Sequence, residues 1–300
     1  MAASRILVQL DCDPQPSTFD AIVAVDAGVD VLLRHGNVTP DAAVTLVHGA
    51  MFTRGVADLR STAIFVGGSD VAAAEAVFDR VRKTFFGPMR VSVLLDPAGA
   101  NTTASAAVVA AGRHLPLGEQ ASAAACRAVV FGGTGPVGQR VVRLLARKGV
   151  AVGVASRSLQ RAEEACRRIA AAVPGARLQP LEAGGSFGAA GENTLLDLAL
   201  AGADLIVAAG AAGVTLLDAA GRQRAERARV LIDLNAVPPS GIDGIAATDK
   251  ARQDGATIVY GALGIGGTKM KIHRTAIQRL FETNDACLDA EDLLAIGEQL

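Results

Sequence analysis

Three groups of residues in this chain have the types and spacing that chemistry needs. The most regular is Gly133-Thr134-Gly135-Pro136-Val137-Gly138, a G-x-G-x-x-G after an apolar run and before a helical pattern. That order suits a ligand carrying phosphates. Gly133 permits a tight turn, Gly135 lets backbone approach a pyrophosphate, and Gly138 lets the helix pack close to the strand. The helix N-terminus adds free N–H groups and a partial positive charge. The strand–turn–helix setting favours a dinucleotide site over a structural glycine turn. The end of the next strand selects the dinucleotide. An acid there would bind a ribose 2′-hydroxyl, but the chain has Ser156-Arg157-Ser158 and then Arg161. A guanidinium with hydroxyls suits a 2′-phosphate, so NADP is favoured, with NAD the weaker alternative. Ala209, Gly210 and Asn235 close two later strands and can lie along ribose and nicotinamide without bulk.

The second group runs from Tyr260 to Arg274. Gly261, Gly264, Gly266 and Gly267 lead from a strand into a helix that opens with Lys269 and Lys271. A glycine loop of this kind brings backbone close to something flat or anionic, with an ammonium nearby. A plain glycine turn into a basic helix fits equally well. The third group gathers at strand ends in the first 103 residues. It comprises Asp11, Asp13, Ser17, Thr18, Phe19, Asp20, His35, Asn37, Gly67, Gly68, Asp70, Asp96, Asn101, Thr102 and Thr103. Together these make a plausible substrate wall. Thr39 and Ser69 read as helix caps.

The elements that must position these residues follow from the apolar runs. Strands are expected at 5–10, 29–33, 62–66 and 91–95, with helices from about Thr18, Pro40, Asp70 and Asn101. Residues 113–126, with their Ala/Ser tract, read as a linker. A second series places strands at 128–131, 151–155, 205–208, 230–234 and 257–260. Helices are expected at 136–148, 158–172, 192–201, 214–220 and 268–283, and from Asp289. Residues 174–191 read as a weak strand and a glycine-rich loop. The expected fold is α/β in two domains with an interdomain cleft. Residues 1–115 would form the substrate domain. Residues 116–300 would form a doubly wound, Rossmann-type dinucleotide domain, whose last helices could pack back on the first.

Composition narrows the function classes. Half of the residues are hydrophobic, and aromatics are 3%, with one Tyr and no Trp. The net charge of −1 divides as −2 over residues 1–115 (9 basic, 11 acidic) and +1 beyond (20 basic, 19 acidic). No basic arm and few rings to stack bases argue against a nucleic-acid partner. The longest apolar stretch is cut by Asp197, Asp204 and Asp218, so no membrane association is expected. Cys12, Cys126, Cys166 and Cys287 form no CxxC pair and read as buried small residues in a reducing cytoplasm. Hydrolytic and metal signatures are missing: no G-x-S-x-G, no H-E-x-x-H, no P-loop. His35, His48, His114 and His273 are scattered and read as packing or surface residues, His273 being the least isolated.

Taken together, several segments resemble the methylene-tetrahydromethanopterin/methylene-tetrahydrofolate dehydrogenases of bacterial one-carbon metabolism. They are Pro16–Asp20, Gly36–Asp41, Ser61–Gly68, Phe85–Pro88, Asn101–Thr103, Gly132–Gly138 and Gly261–Lys271. Of these, 36–41 and 261–271 are far more specific than the dinucleotide turn. The resemblance is to the NADP-dependent branch and spans nearly the whole chain. It implies hydride transfer from the methylene carbon of a C1-carrying tetrahydropterin to NADP, giving a methenyl cation. No proton is removed, so no general base is required, which agrees with the missing dyad or triad. By the same resemblance Lys269 is the polar residue nearest the reacting pterin. Phe19, Asp20, Asn37, Thr102 and Thr103 are placed against substrate, and Gly261 and Leu263 against the dinucleotide. A homo-oligomer and no metal are expected. Tetrahydrofolate as the preferred carrier, or another small substrate such as shikimate, are the alternatives. A dinucleotide-binding protein without chemistry is the non-enzymatic one.

Overall fold

The computed structural model of the protein describes residues 3–118, 120–183 and 194–300. Strands and helices alternate: β1 (Ile6–Asp11), α1 (Thr18–Asp26), β2 (Val31–His35), α2 (Pro40–Phe52), β3 (Thr62–Gly67), α3 (Val71–Thr84), β4 (Ser92–Leu95), α4 (Ala100–Gly112) and the short α5 (Gln120–Ala123). The series continues with β5 (Arg127–Phe131), α6 (Pro136–Arg147), β6 (Ala151–Ser156), α7 (Leu159–Ala172), β7 (Leu178–Glu182), α8 (Thr194–Ala201), β8 (Leu205–Ala208), α9 (Ala219–Arg224) and β9 (Val230–Asp233). It closes with β10 (Arg252–Asp254), β11 (Thr257–Tyr260), α10 (Ala262–Arg279), β12 (Cys287–Leu288) and α11 (Ala290–Glu298).

Two compact units result, each an α/β layer structure. One holds the residues up to Thr102 together with Lys269–Leu300; the other holds Thr103–Thr268. The first has a parallel sheet in the order β12-β4-β3-β1-β2. The second has the order β10-β11-β9-β8-β5-β6-β7, parallel except for the β10–β11 hairpin. Strand β3 is buried at every position, as a central parallel strand covered on both faces should be. Strand β2, at the edge, leaves Val31 and Leu33 exposed. Val8, Ile64, Val77 and Val93 meet in the core of the first unit, and Val129, Ile206, Leu231 and Val259 in that of the second.

Several expectations need correction. The chain does not divide at residues 113–126. It leaves the first unit inside α4 and returns inside α10, so neither passage carries a linker composition. The two-residue β12 exists only because Cys287 and Leu288 pair with Val93 and Leu94, a signal no local pattern carries. The helix expected at 214–220 forms later, at 219–224, where the Asp218 side chain accepts from the Gly221 N–H. Ser69 is not a cap: Asp70 caps α3 by accepting from Ala73 N–H. Part of the glycine-rich loop before α8, and the first two residues expected in that helix, lie outside the described residues.

The largest correction concerns α10. It starts at Ala262, so the glycines of 264–267 lie within the helix and not in a loop. A Cβ on Gly261 would come within 2.6 Å of the Ala247 carbonyl carbon, and one on Gly264 would strike the Asp249 carbonyl oxygen. The missing side chains let the helix start press onto its own 246–250 loop. There Leu263 N–H donates to Ala247 O at 2.8 Å, and Gly261 N–H to Asp249 O at 2.8 Å. These contacts satisfy donors that a helix N-terminus otherwise leaves open.

Candidate functional site

In an open α/β sheet, ligands bind at the carboxyl ends of strands where the strand order reverses. The Thr103–Thr268 unit reverses between β5 and β8. There the loops after the two strands touch. Gly132 has φ +67°, and a Cβ on it would lie 2.6 Å from Gly210 Cα. The freedom expected of Gly133 thus belongs to Gly132. Gly133 instead donates its N–H to Ala155 O, and a Cβ on it would lie 2.8 Å from Val154 Cγ1. Gly135 caps α6 with no side chain, Pro136 occupies the first helical turn, and Gly138 packs directly on the Gly132 carbonyl. The result is a helix N-terminus that opens into a cleft of about 700 Å³.

Thr134, Gly135, Pro136, Ser156, Arg157, Ser158, Arg161, Ala209 and Gly210 all line that cleft. Thr134 Oγ1 donates to Ser156 Oγ at 3.3 Å, which holds the end of β6 against the turn. Ser158 caps α7 by accepting from Arg161 N–H. That cap sets Arg161 in the first turn, and Arg157 stands exposed beside it. The strand end therefore presents two guanidinium groups where an acid would hold a ribose diol. Val214, Thr215 and Leu216 also line the cleft. The sequence hid them, because the stretch read as the start of a helix.

Gly133, Val137, Asn235, Gly261 and Leu263 do not line the cleft. Asn235 is committed to its own loop. Its side chain donates to Pro239 O at 3.0 Å and accepts from Val237 N–H at 3.0 Å. Asp233 braces the same loop by accepting from Gly241 N–H at 2.7 Å. Leu263 is 62% exposed, in the first turn of α10.

The first unit reverses its strand order between β1 and β3, and a smaller cavity, about 320 Å³, opens at those strand ends. Asp11, Asp13, Ser17, Phe19, Asp20, Ser69 and Lys269 line it, with Gly68, Ala98 and Gly99. Asp11 is buried and organises one wall. It accepts from the N–H groups of Asp13 and Ser17, both at 3.0 Å. Asp13 in turn accepts from the Ser69 N–H at 3.0 Å and hydroxyl at 2.8 Å, so Ser69 serves the wall and not the helix. Ser17 caps α1 by accepting from Asp20 N–H at 3.2 Å, which sets Phe19 and Asp20 in the first turn. Lys269 Nζ stands 5.2 Å from the Phe19 ring centre, within cation–π range. A Cβ on Gly99 would lie 2.5 Å from that ammonium. Gly99 and Ala98, both with positive φ, were not legible as site residues.

The other expected substrate residues do not line this cavity. Asn37 is exposed, with φ 52°, and its N–H donates to Asp13 O at 2.8 Å. Thr102 is fully buried, and its hydroxyl donates to Asp96 Oδ2 at 2.6 Å. Asp96 also accepts from the N–H groups of Asn101 and Thr102, which starts α4. Thr103, half-buried, follows in the same helix. Among the described residues no three His, Cys, Asp or Glu side chains could hold a metal ion. The four cysteines are free thiols, and only Cys126 is fully buried. Burial and the nearby Asp11 and Asp13 push Cys12 up to about 11.

Asp20 is the most perturbed carboxyl of this cavity. Burial and the neighbouring Asp96 push it from 3.8 up to about 7, against the pull of Ser17 and Lys269. The unfolded chain ionises this carboxyl near pH 4 and the folded chain only near 7. The cost therefore grows as pH rises from about 4 and is complete above about 7. Asp20→Asn is expected to raise stability by roughly 2–4 kcal/mol at pH 8 and to change little at pH 4. Chemical denaturation at the two pH values checks this; an equal effect at both would contradict it.

With the geometry in hand, comparisons with known proteins fall into two kinds. Residues 18–98 match the family model described as methylene-tetrahydromethanopterin dehydrogenase, N-terminal. The bifunctional protein MdtA of Methylorubrum extorquens is 40% identical over 302 aligned positions, covering 99% of each chain. The NAD(P)-dependent methylenetetrahydromethanopterin dehydrogenase of the same organism is 31% identical, again over 99% of each chain. Among solved structures, quinate dehydrogenase from Corynebacterium glutamicum, in complex with NAD, aligns with a TM-score of 0.53. It covers 99% of both chains at 16% identity, a likeness of fold alone. No helix among the described residues is long and apolar enough to cross a membrane.

Proposed function

The chain belongs to the methylene-tetrahydromethanopterin dehydrogenase family, and from that premise we propose that it is an NADP-dependent methylene-tetrahydromethanopterin dehydrogenase. The observation that carries the reading is the cavity of Phe19, Asp20 and Lys269, in the unit that matches the family model. A flat ring system fits against Phe19, a carboxyl suits pterin N–H donors, and an ammonium suits a carbonyl oxygen. NADP, when bound, supplies the hydride acceptor. Gly135 and the start of α6 would hold its pyrophosphate, and Arg157 and Arg161 its 2′-phosphate. The rest of the catalytic work is positional. Phe19 and Lys269 fix the pterin plane, and the acidic wall of Asp11, Asp13 and Asp20 favours positive charge where the methenyl product forms.

Four initial-rate assays test the reading: methylene-tetrahydromethanopterin and methylene-tetrahydrofolate, each with NADP and with NAD. Reduced nicotinamide should appear fastest with the methanopterin carrier and NADP. No reduction with either pterin would overturn the proposal. Quinate and shikimate serve as controls for a fold-level likeness and should give no rate. Lys269→Ala is expected to lower kcat/KM for the pterin about tenfold while NADP affinity, read by fluorescence, holds within twofold. An unchanged kcat/KM would remove the lysine from the substrate site.

The reducing cytoplasm suits the four free thiols. Self-association is supported by an apolar stripe beside an edge strand: Ile22 and Val25 on α1, Val31 and Leu33 on β2, each more than 40% exposed. Light scattering should give a mass that is a multiple of 30.5 kDa. A charge at Leu33 should lower that mass; a monomer in the unaltered protein would contradict this part.

A further inference from the structure

One buried group under the Phe19–Lys269 cavity has no part in the chemistry so far. His273 lies one turn beyond Lys269 on α10, with no exposed surface. Its ring stacks on Phe65 at 5.7 Å and meets Phe19 at 6.5 Å. Neither ring nitrogen has a hydrogen-bond partner among the described residues. An imidazole buried this way costs more than an aliphatic side chain of the same volume, unless one of its nitrogens is used. The polar group within reach is Asp20: His273 Nε2 lies 4.0 Å from Asp20 Oδ1.

We propose that His273 is a positioning residue that acts through Asp20: its Nε2–H turns to the Asp20 side chain and holds it as a carboxylate at the cavity wall, where that charge faces the methenyl cation as it forms. The pterin half of this rests on the function proposed above. No proton changes hands in hydride transfer, so the imidazole stays neutral and serves only as a donor. Burial favours the neutral ring, Asp96 opposes that, and Lys269 reinforces it.

Each charged group around the pair has a defined effect. Asp96 at the end of β4 and Asp11 at the end of β1 disfavour a charged Asp20, and Lys269 on α10 favours it. Asp96 is occupied by the start of α4, and Asp11 by the β1 end loop. Both are acceptors, so neither can donate to Asp20. Beside the Ser17 hydroxyl and the Lys269 ammonium, which already favour the charged form, an N–H from His273 is a further donor that α10 places near Asp20. Donation to the ionised form lowers a carboxyl pKa, against the pull of burial and the two acids.

An infrared difference titration of the full chain, without pterin or nucleotide, tests the pair directly. The protonated-carboxyl band of Asp20 is the one lost in Asp20→Asn. In His273→Phe its midpoint should rise by about one pH unit. In His273→Gln, which keeps an N–H donor at similar reach, it should stay within about 0.3 unit. His273→Asn is too short to reach Asp20 and gives the same test as His273→Phe should that variant not fold. A midpoint that stays or falls in the folded His273→Phe or His273→Asn protein overturns the pairing. With pterin and NADP present, the acid limb of kcat/KM should shift with the infrared midpoint. A shift in the titration alone would overturn the catalytic half while leaving the pairing intact. Because the titration needs no substrate, its failure is distinct from failure of the pterin reading.

Discussion

Gly138→Ala is expected to abolish measurable NADP binding and to destabilise the Thr103–Thr268 unit by roughly 3 kcal/mol. A Cβ at 138 would run into the Gly132 carbonyl oxygen and lie 2.8 Å from the Gly132 carbonyl carbon and 2.9 Å from Gly133 Cα. These are backbone atoms, so no side chain can swing away. The start of α6 must move off the turn, and with it go the N–H groups that face the cleft. For a unit of this size the melting midpoint should fall by roughly 6–12 °C. Gly266→Ala is the matched control. Nothing lies within 4 Å of a Cβ there, and the position is inside α10. That change should raise stability by up to about 1 kcal/mol, because alanine is the better helix former. Calorimetry and nucleotide titration of both variants check the pair. Equal effects at 138 and 266 would mean that close backbone approach does not build the turn.

Arg157→Ala should raise the KM for NADP by about 10- to 100-fold and leave that for NAD within about twofold. The residue is exposed at the end of β6, lines the cleft, and stands beside Arg161 in the first turn of α7. Losing a charge-assisted hydrogen bond to a phosphate costs about 1.5–3 kcal/mol, which is the stated range. A ribose hydroxyl has no charge to lose, so NAD serves as the internal control. Arg157→Asp should go further and invert the preference by repelling a 2′-phosphate. Equal changes in KM for both nucleotides would remove Arg157 as the source of selectivity.

Much of the first-order architecture was legible because it is local. The runs at 62–66, 151–155 and 205–208 lie on β3, β6 and β8 within a residue, since central parallel strands are continuous apolar stretches. Ser17 and Thr39 cap α1 and α2, as short polar side chains before a helical pattern should. Long-range packing was the hidden part. Gly261 and Gly264 read as a ligand loop, but what approaches them is the chain's own 246–250 backbone, some 15 residues upstream in sequence. Thr102 and Asn235 read as ligand-facing polar residues, yet a buried carboxylate bonds Thr102 and a carbonyl of its own loop bonds Asn235. Ala98 and Gly99 carry no polar signal at all; only their positive φ and the nearby Lys269 bring them to the cavity. His273 reads from the sequence as the least isolated histidine, but its approach to Asp20, 253 residues away along the chain, is something no local pattern encodes.

Direct transfer of a hydride from the pterin methylene carbon, with no side chain taking a proton, is the central claim. It is tested by preparing methylene-tetrahydromethanopterin from dideuterated formaldehyde and incubating it with NADP and this protein. Mass spectrometry of the reduced nucleotide should show one deuterium per molecule, in unlabelled water and from the first turnover. Reduced nucleotide without deuterium, or no reduction at all, would contradict it.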